Sequence, residues 1–254
     1  MDRKTPLVIM IALLTVSVGA QESAKVSASG LVSRMLGRYS AASSMTGTIR
    51  FTQSAQRNSV TIETTLQYEK PSKLYIRQQL RSSEPMTWLV VSDGTQFSYN
   101  TPENLPGAAN LPRLVEQVKQ NDVTLDTRGI YKAAASSIGD RSAPLDIVIG
   151  DPDDLKGLTF QWATLEYRGQ VLVGDERLDL IAGRWRPYGT APAHGTYEMY
   201  LTPSGELRRY VVVETVGAGP ENPTVIEVRS VWDVNLKIDG KVDPALFKVV
   251  RQPQ

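Results

Sequence analysis

Alternation of apolar and polar residues over four successive segments is the feature that most constrains the fold of this chain. The segments TGTIRFTQ, SVTIETTLQYEK, SKLYIRQQL and TWLVVSDGTQFSYN lie between residues 46 and 100 and are rich in Thr, Val, Ile and Tyr. A period of two residues with this composition is typical of half-buried β-strands. Because turn residues separate the segments, the sequence predicts consecutive strands of an antiparallel meander.

Two turns support antiparallel pairing. Asp93-Gly94 lies between TWLVVS and TQFSYN and predicts a two-residue type I′ hairpin, which needs a positive φ at both central positions. Pro203-Ser204-Gly205 lies between TYEMYL and ELRRYVVVE, and Gly205 supplies a left-handed conformation there. Each turn therefore predicts a hairpin of neighbouring strands.

The second half of the chain repeats the strand pattern. From Leu158 we predict five more strands, in the segments LTFQWATLEYRG, QVLVGDERLDLIAG, GTYEMYLTP, ELRRYVVVETV and TVIEVRSVWDVNLKI. The last segment, VDPALFKVV, predicts a closing helical turn followed by a terminal strand. The total is about nine to eleven strands, which is more than an open twisted sheet usually keeps without curling.

Helices are predicted at three places. Apolar residues at helical spacing between Ser23 and Ser44 predict an amphipathic helix that begins near Ala28 and packs one face on the sheet. Leu111–Gln120 and Gly129–Ser137 predict two short helices for the same reason. The segment SAPLDIVIG, residues 142–150, is ambiguous, because its β-branched residues favour a strand and Pro144 suits a first helical turn.

The curled sheet would have an apolar concave face. Residues two apart share a face of a strand, and this spacing predicts a wall of apolar side chains with a basic residue, Lys70, at its end. The predicted wall consists of Ile62, Leu66, Tyr68, Leu74, Ile76, Trp88, Val90, Phe97 and Tyr99. The alternative is that these side chains pack beneath the helices as an ordinary core.

The first twenty residues have the pattern of a secretory signal peptide. Arg3 and Lys4 precede an apolar run that ends in Val18-Gly19-Ala20, which predicts cleavage after Ala20 and a mature domain of residues 21–254. The alternative, a membrane anchor, needs roughly 20 apolar residues, and this run is shorter. We therefore expect a protein exported to a bacterial periplasm.

Composition narrows the function classes. The chain has no cysteine, so no disulfide and no lipid attached through a cysteine is expected. The whole chain has 28 basic and 27 acidic residues, and removal of the signal peptide takes away Arg3, Lys4 and Asp2. The mature chain then has equal numbers of basic and acidic residues. A neutral mature chain gives no electrostatic reason to expect a nucleic-acid partner.

Catalytic constellations are scarce in this sequence. His194 is the single histidine and lies in a Pro/Gly-rich loop, so a Cys-His site or a multi-histidine zinc site is excluded. Asp151, Asp153 and Asp154 lack the spacing of a calcium loop, and a turn and helix start explains them better. We expect no enzyme, no cofactor and no metal.

Four blocks of the chain resemble the periplasmic outer-membrane lipoprotein carriers, the LolA-like family of the LolA/LolB-like superfamily. The blocks are SSMTGTIRFTQ at 43–53, LQYEKPSKL at 66–74, LVVSDGTQFSYNTP at 89–102 and DGKVDPALFKVVRQP at 239–253. SAPLDIVIG is similar to the short lid helix of that family. The resemblance implies a half-barrel, an antiparallel sheet of about eleven strands whose concave face is covered by helices and receives the acyl chains of a lipoprotein.

The resemblance also implies a gate. In the carriers a basic residue before the proline of the second hairpin holds the lid closed, and Lys70 occupies that position, with lysine in place of the carriers' arginine. Lysine cannot form the bidentate fork of arginine, so a weaker lock is expected. The region from Leu158 to Val216, with the insertion IAGRWRPYGTAPAHG, is longer than in a plain carrier.

These observations predict a monomeric, non-enzymatic periplasmic protein that shields acyl chains of a lipoprotein or another lipid and acts in outer-membrane lipoprotein sorting. A membrane protein would donate or accept the cargo. The alternative is an envelope sensor or regulatory interaction protein on the same scaffold. A filled concave face without a cavity would favour that alternative.

Overall fold

The computed structural model describes residues 26–83, 85–99, 114–120, 122–139, 143–150, 152–186, 194–217 and 225–249. The predicted signal peptide lies outside these residues. The helices are α1 (Ala28–Ala41), α2 (Thr127–Ala133), α3 (Ala143–Ile149) and α4 (Pro152–Gln161), with 3₁₀ turns at Ala135–Ser137 and Pro244–Phe247. The strands are β1 (Ser44–Ala55), β2 (Asn58–Glu69), β3 (Lys73–Arg81), β4 (Thr87–Asp93), β5 (Gln96–Tyr99), β6 (Leu114–Gln117), β7 (Lys119–Gln120), β8 (Val123–Thr124), β9 (Glu166–Val173), β10 (Glu176–Trp185), β11 (His194–Leu201), β12 (Leu207–Gly217) and β13 (Val225–Ile238).

Eleven strands form one antiparallel sheet in the order β6-β5-β4-β3-β2-β1-β13-β12-β11-β10-β9. The chain runs through one meander from β1 to β6 and a second from β9 to β13, and the pairing of β1 with β13 joins them. The sheet is not closed, because β6 and β9 remain its edges. The predicted fold class, a mainly β half-barrel covered by helices, is confirmed by this arrangement.

Strand register places the apolar side chains of the first meander on one face. Leu66 pairs with Ile76 and Tyr68 pairs with Leu74, and all four side chains are buried. Thr64 and Gln78 form the next buried pair on this face, and the Gln78 amide donates to the Thr64 hydroxyl over 3.1 Å. The strand positions that the sequence predicts to face inward are therefore the positions whose side chains are buried.

Helix α1 lies across this concave face and connects the two meanders. Ser27 caps its N-terminus, because the Ser27 hydroxyl accepts a hydrogen bond from the Gly30 N–H over 3.1 Å. Tyr39, near its C-terminus, is buried and accepts a hydrogen bond from the Leu207 N–H of β12 over 3.0 Å. The helix predicted to begin near Ala28 is confirmed.

Helix α2 is fixed to the turn between β2 and β3. The backbone N–H and the hydroxyl of Thr127 both donate to the Pro71 carbonyl, over 2.7 and 2.8 Å. The Ser72 hydroxyl returns a hydrogen bond to the Leu125 carbonyl over 2.8 Å. These bonds hold the start of α2 beside Lys70.

Helix α3 completes the cover, and the helical interpretation of SAPLDIVIG that the family resemblance favours is confirmed. Its main contacts are with α1, α2 and α4, not with the strands of the sheet. A hydrogen bond from the Tyr131 hydroxyl to Asp146 Oδ1, 2.9 Å long, ties it to α2. At seven residues α3 is too short to be stable alone, so its helical form depends on these contacts.

The helix predicted at Leu111–Gln120 is wrong. The described part of that segment contains β6 and β7, and β6 pairs with β5, with Val115 opposite Ser98. Leu114, Val115 and Val118 have a spacing that fits either structure, and pairing with the open edge of β5 decides in favour of the strand. The short helix predicted at Gly129–Ser137 is confirmed as α2 and a 3₁₀ turn.

Two boundaries in the second half also differ from the prediction. Residues 158–161 belong to α4, so the first strand there begins only at Glu166, although the number of five strands is correct. The 3₁₀ turn Pro244–Phe247 is confirmed, but Lys248 and Val249 form no strand, and the rest of the predicted terminal strand lies outside the described residues. Helix α4 begins at Pro152, as the helix-start interpretation of the neighbouring aspartates predicts.

Both predicted hairpins are present, and one has a different turn. Gly205 has φ +89° in the β11–β12 hairpin, as expected. In the β4–β5 hairpin only Gly94, with φ +93°, has a positive φ, so this is not the predicted type I′ turn. Asp93 Oδ1 accepts hydrogen bonds from the N–H groups of Thr95 and Gln96, over 2.7 and 2.8 Å, and this cap stabilises the alternative conformation.

Candidate functional site

A small cavity lies where α1, α2, α3 and the end of β2 meet. Its volume is about 90 Å³. Its lining is mostly apolar and aromatic, with two cationic side chains at the side of the β2–β3 turn. The described residues that line it are Leu36, Tyr39, Ser40, Tyr68, Lys70, Thr127, Arg128, Ile147, Val148, Ile149, Gly150 and Leu155.

The hydroxyl of Tyr68 is buried without a partner in this lining. Tyr68 is 2% exposed, and its hydroxyl forms no hydrogen bond with any of the residues that the structure describes. Leaving a buried hydroxyl unsatisfied costs about 1–3 kcal/mol. Burial raises the pKa of Tyr68 to about 12, and the Asp239 charge adds to the rise. The group is therefore a neutral O–H donor that lacks an acceptor.

Lys70 stands at the same cavity, bonded to the last turn of α1. Its Nζ donates to the Ser40 carbonyl over 2.7 Å, and a cation near a helix C-terminus is favourable. Burial lowers the pKa of Lys70, and the neighbouring Arg128 guanidinium lowers it further. The hydrogen bond of the predicted gate residue is thus made to α1, while α3 lines the opposite part of the cavity.

The nearest carboxylates to these cations already have partners. Asp126 Oδ1 caps α2 by accepting a hydrogen bond from the Gly129 N–H over 2.9 Å. Asp239 Oδ1 accepts from the Ser43 N–H and hydroxyl, both over 2.8 Å, which holds the pKa of that carboxyl below its ordinary value. The cavity lining therefore has positive charge without an acidic side chain among its described residues.

The predicted ligand wall lies deeper than this cavity. Eight of its nine residues are buried within the core cluster, and Tyr68 is the member that lines the cavity. Trp88 is half-buried and covers the backbone of Gly139, since a Cβ at Gly139 would approach the indole to 2.5 Å. The structure brings Tyr68 and Lys70 together, and whether the wall as a whole contacts a ligand stays a prediction.

The helices supply the part of the site that the sequence pattern did not predict. Leu36 and Tyr39 come from α1, Arg128 comes from α2, and Ile147–Ile149 comes from α3. Three successive β-branched residues in a short helix are an unusual composition, because such residues favour strands. That run was the signal available in the sequence, and it marked the segment as ambiguous without indicating which residues it would face.

Aromatic side chains pack against one another in the second half of the sheet. The Trp162 indole donates to the buried Tyr210 hydroxyl over 3.0 Å, and burial raises the pKa of that phenol above its ordinary value. Tyr210 also packs against Trp232, with 5.5 Å between ring centroids. Around Tyr210 the space is filled by aromatic side chains, while a shallower pocket lies between α1 and strands β9 and β10.

Within the described parts of the chain, no group of three or more His, Cys, Asp or Glu lies close enough to hold a metal ion. Residue His194 begins β11, and its side chain lies outside the described atoms. None of the described helices has the length and apolar character needed to cross a membrane.

Comparison with known proteins gives similarities of fold. No family model and no curated protein matches the sequence. Solved structures that match include the lipoprotein LppX from Mycobacterium tuberculosis, with 11% identity, a TM-score of 0.40, and coverage of 85% of this chain and 97% of that chain. A LolA superfamily protein from Nitrosomonas europaea matches with 9% identity, a TM-score of 0.33, and coverage of 88% and 98%.

The MucA/MucB complex from Pseudomonas aeruginosa matches with 14% identity, a TM-score of 0.39, and coverage of 88% of this chain and 61% of that chain. At these identities and TM-scores the matches carry no inference about ligand or partner, and the architecture itself rests on the strand order and register.

Proposed function

We propose that this chain is an exported, non-enzymatic protein that shields an acyl chain between its concave sheet and the covering helices. The observation that carries the proposal is the cavity under α3, whose wall is the apolar run Ile147–Ile149. Each buried methylene contributes roughly 0.8 kcal/mol, so a long acyl chain needs no catalyst and no specific polar contact to bind.

Binding a whole acyl chain requires the helices to move. The cavity of about 90 Å³ is well below the roughly 300–1,000 Å³ of ordinary ligand sites. Helix α3 contacts mainly other helices, and its apolar side chains face inward. Displacement of α3 with α4 would give an acyl chain access to the core cluster that these helices share with β2 and β3, where Leu66 and Ile76 lie fully buried.

The opposing term is the loss of apolar burial when α3 leaves the helices that it packs against. An acyl chain offsets this loss, because its methylenes cover the surface that α3 exposes. Transfer of lipoprotein cargo between membrane-protein partners in outer-membrane sorting is the finer form of this proposal.

A second candidate is supported by the filled concave face. A protein that senses envelope lipoproteins or docks on a regulatory partner needs no room for a ligand, and most of the predicted wall is packed core. The two candidates differ in whether a lipid enters beneath α3. Uptake of lipid therefore separates them.

A pair of matched substitutions tests lipid uptake. Val148→Phe places a larger side chain into the cavity, whereas Val91→Phe makes the same change at a valine that is equally buried but lies outside the core cluster beneath the helices. We expect Val148→Phe to weaken binding of a fluorescent fatty acid by about tenfold or more, equal to about 1.4 kcal/mol. Val91→Phe should bind as the natural sequence does.

Circular dichroism and thermal unfolding establish that both variants are folded before binding is compared. Equal binding by the Val148→Phe variant would remove this cavity as the entry site. Absence of uptake by the natural sequence would favour the sensor.

A further inference from the structure

The cavity contains an unpartnered O–H donor. The Tyr68 hydroxyl is buried and has no hydrogen-bond partner among the described residues, and of the three such buried side-chain groups, with Ser98 and Gln161, Tyr68 is the one that lines the cavity. Buried polar groups in folded proteins are nearly always paired, so an orphan donor on a residue that lines a cavity is available to an acceptor that a ligand brings. A phenol that stays protonated at neutral pH offers its hydrogen to an oxygen atom.

Two cations line the same cavity. Arg128 forms no ion pair and no side-chain hydrogen bond with the described residues. Ser40 accepts one of the three N–H groups of Lys70, which leaves further donors on the ammonium. Asp126 and Asp239 are the acidic groups that influence Lys70, and both are engaged with backbone N–H groups elsewhere.

The rest of the lining is apolar. Leu36, Leu155 and the α3 run Ile147–Ile149 form the wall away from the two cations. A ligand that matches both parts has an anionic oxygen at one end and a hydrocarbon at the other.

We infer that Tyr68, Lys70 and Arg128 form a subsite for an anionic oxygen, a carboxylate or a phosphate, at the head of an amphiphile whose chain enters beneath α3. This inference rests on the proposed function and adds the charge of the ligand to it. The cavity of about 90 Å³ has room for such a head group in the closed form, while the chain requires displacement of α3. Hydrogen bonds to a charged group are stronger than those to a neutral one, so the subsite selects an acid over the corresponding alcohol.

The test compares laurate with lauryl alcohol, which has the same chain length and no charge, and with inorganic phosphate, which has charge and no chain. Affinities are measured by displacement of a neutral fluorescent acyl probe and, for phosphate, by titration calorimetry. We expect laurate to bind about tenfold or more tightly than lauryl alcohol, the factor that one charged hydrogen bond supplies.

Variants assign that selectivity to residues. Tyr68→Phe and Arg128→Gln should each reduce the laurate-to-alcohol affinity ratio severalfold. Tyr75→Phe and Arg77→Gln make the same changes on β3 at side chains outside the cavity lining, and the ratio should stay as in the natural sequence.

The outcomes separate this inference from the proposed function. Equal binding of laurate and lauryl alcohol, or a ratio that Tyr68→Phe and Arg128→Gln leave unchanged, overturns the anionic subsite and leaves lipid binding intact. Phosphate binding that Arg128→Gln abolishes, with no binding of either amphiphile, supports the anion site but assigns it to a free anion and overturns lipid binding. Absence of binding by all three probes overturns both.

Discussion

Replacement of Tyr68 by Phe should stabilise the ligand-free protein, although Tyr68 is among its most buried aromatic residues. The ring occupies the same volume in both side chains, and the hydroxyl that is lost has no hydrogen-bond partner among the described residues. An unsatisfied buried hydroxyl costs about 1–3 kcal/mol, so we expect the free energy of unfolding to rise by roughly 1–2 kcal/mol. For a domain of this size that corresponds to an increase in Tm of roughly 2–8 °C.

The control is a buried tyrosine whose hydroxyl is paired. Tyr131 is fully buried, and its hydroxyl donates to Asp146 Oδ1 over 2.9 Å. Tyr131→Phe should lower the free energy of unfolding by about 1 kcal/mol, because the hydrogen bond is lost. Urea denaturation of delipidated protein, with equal m-values required for the comparison, measures both changes. A loss of stability in Tyr68→Phe would refute the orphan hydroxyl and with it the argument for a ligand acceptor.

Three further predictions concern the scaffold. Gly47→Ala should destabilise the protein by more than about 2 kcal/mol in urea denaturation. The reason is that Gly47 has φ +146° and that a Cβ there would lie 2.1 Å from the Asn235 carbonyl oxygen. A near-neutral effect would contradict the tight approach of β1 to β13. Ser27→Ala should cost about 1 kcal/mol through loss of the α1 cap to Gly30, and unchanged stability would mean that the cap is not formed in solution. Asp239 contributes stability that is present above its unfolded pKa, near 3.8, and is lost as pH falls through its depressed folded value. Asp239→Asn should therefore be less stable at neutral pH and should show a flatter loss of stability below pH 3.8 in acid titration followed by circular dichroism; a profile parallel to that of the natural sequence would contradict this.

The sheet could be predicted because its signal is local. In each long strand, such as β2, apolar and polar residues alternate over many positions because one face is buried. The period of two can therefore be read from the sequence alone. The turn residues Gly94 and Gly205 then indicate which strands are neighbours in the sheet. The pairing of β1 with β13 joins distant segments of the chain, and no local pattern specifies it.

Short elements were predicted poorly because their pairing is not local. Strand β6 has four residues, too few to distinguish a period of two from one of 3.6, and its identity depends on the free edge of β5. The apolar residues Leu158, Phe160 and Trp162 alternate as in a strand, yet Leu158 is buried and Phe160 is 66% exposed, as expected for residues two apart in a helix.

The cavity was predicted only in part for a related reason. Tyr68 and Lys70 follow from strand alternation, since both lie on the concave side of β2 and its turn. Arg128 and Val148 reach the same cavity through the packing of α2 and α3 on α1, and no period in the sequence specifies how helices dock on a sheet.

Native mass spectrometry of the protein, purified from cells that express it and combined with lipid extraction, tests the central claim most directly. The account predicts a stoichiometric acyl lipid with an anionic head group, released by organic solvent and absent from the Val148→Phe variant. An empty protein that also fails to take up a fluorescent fatty acid would contradict lipid binding beneath α3.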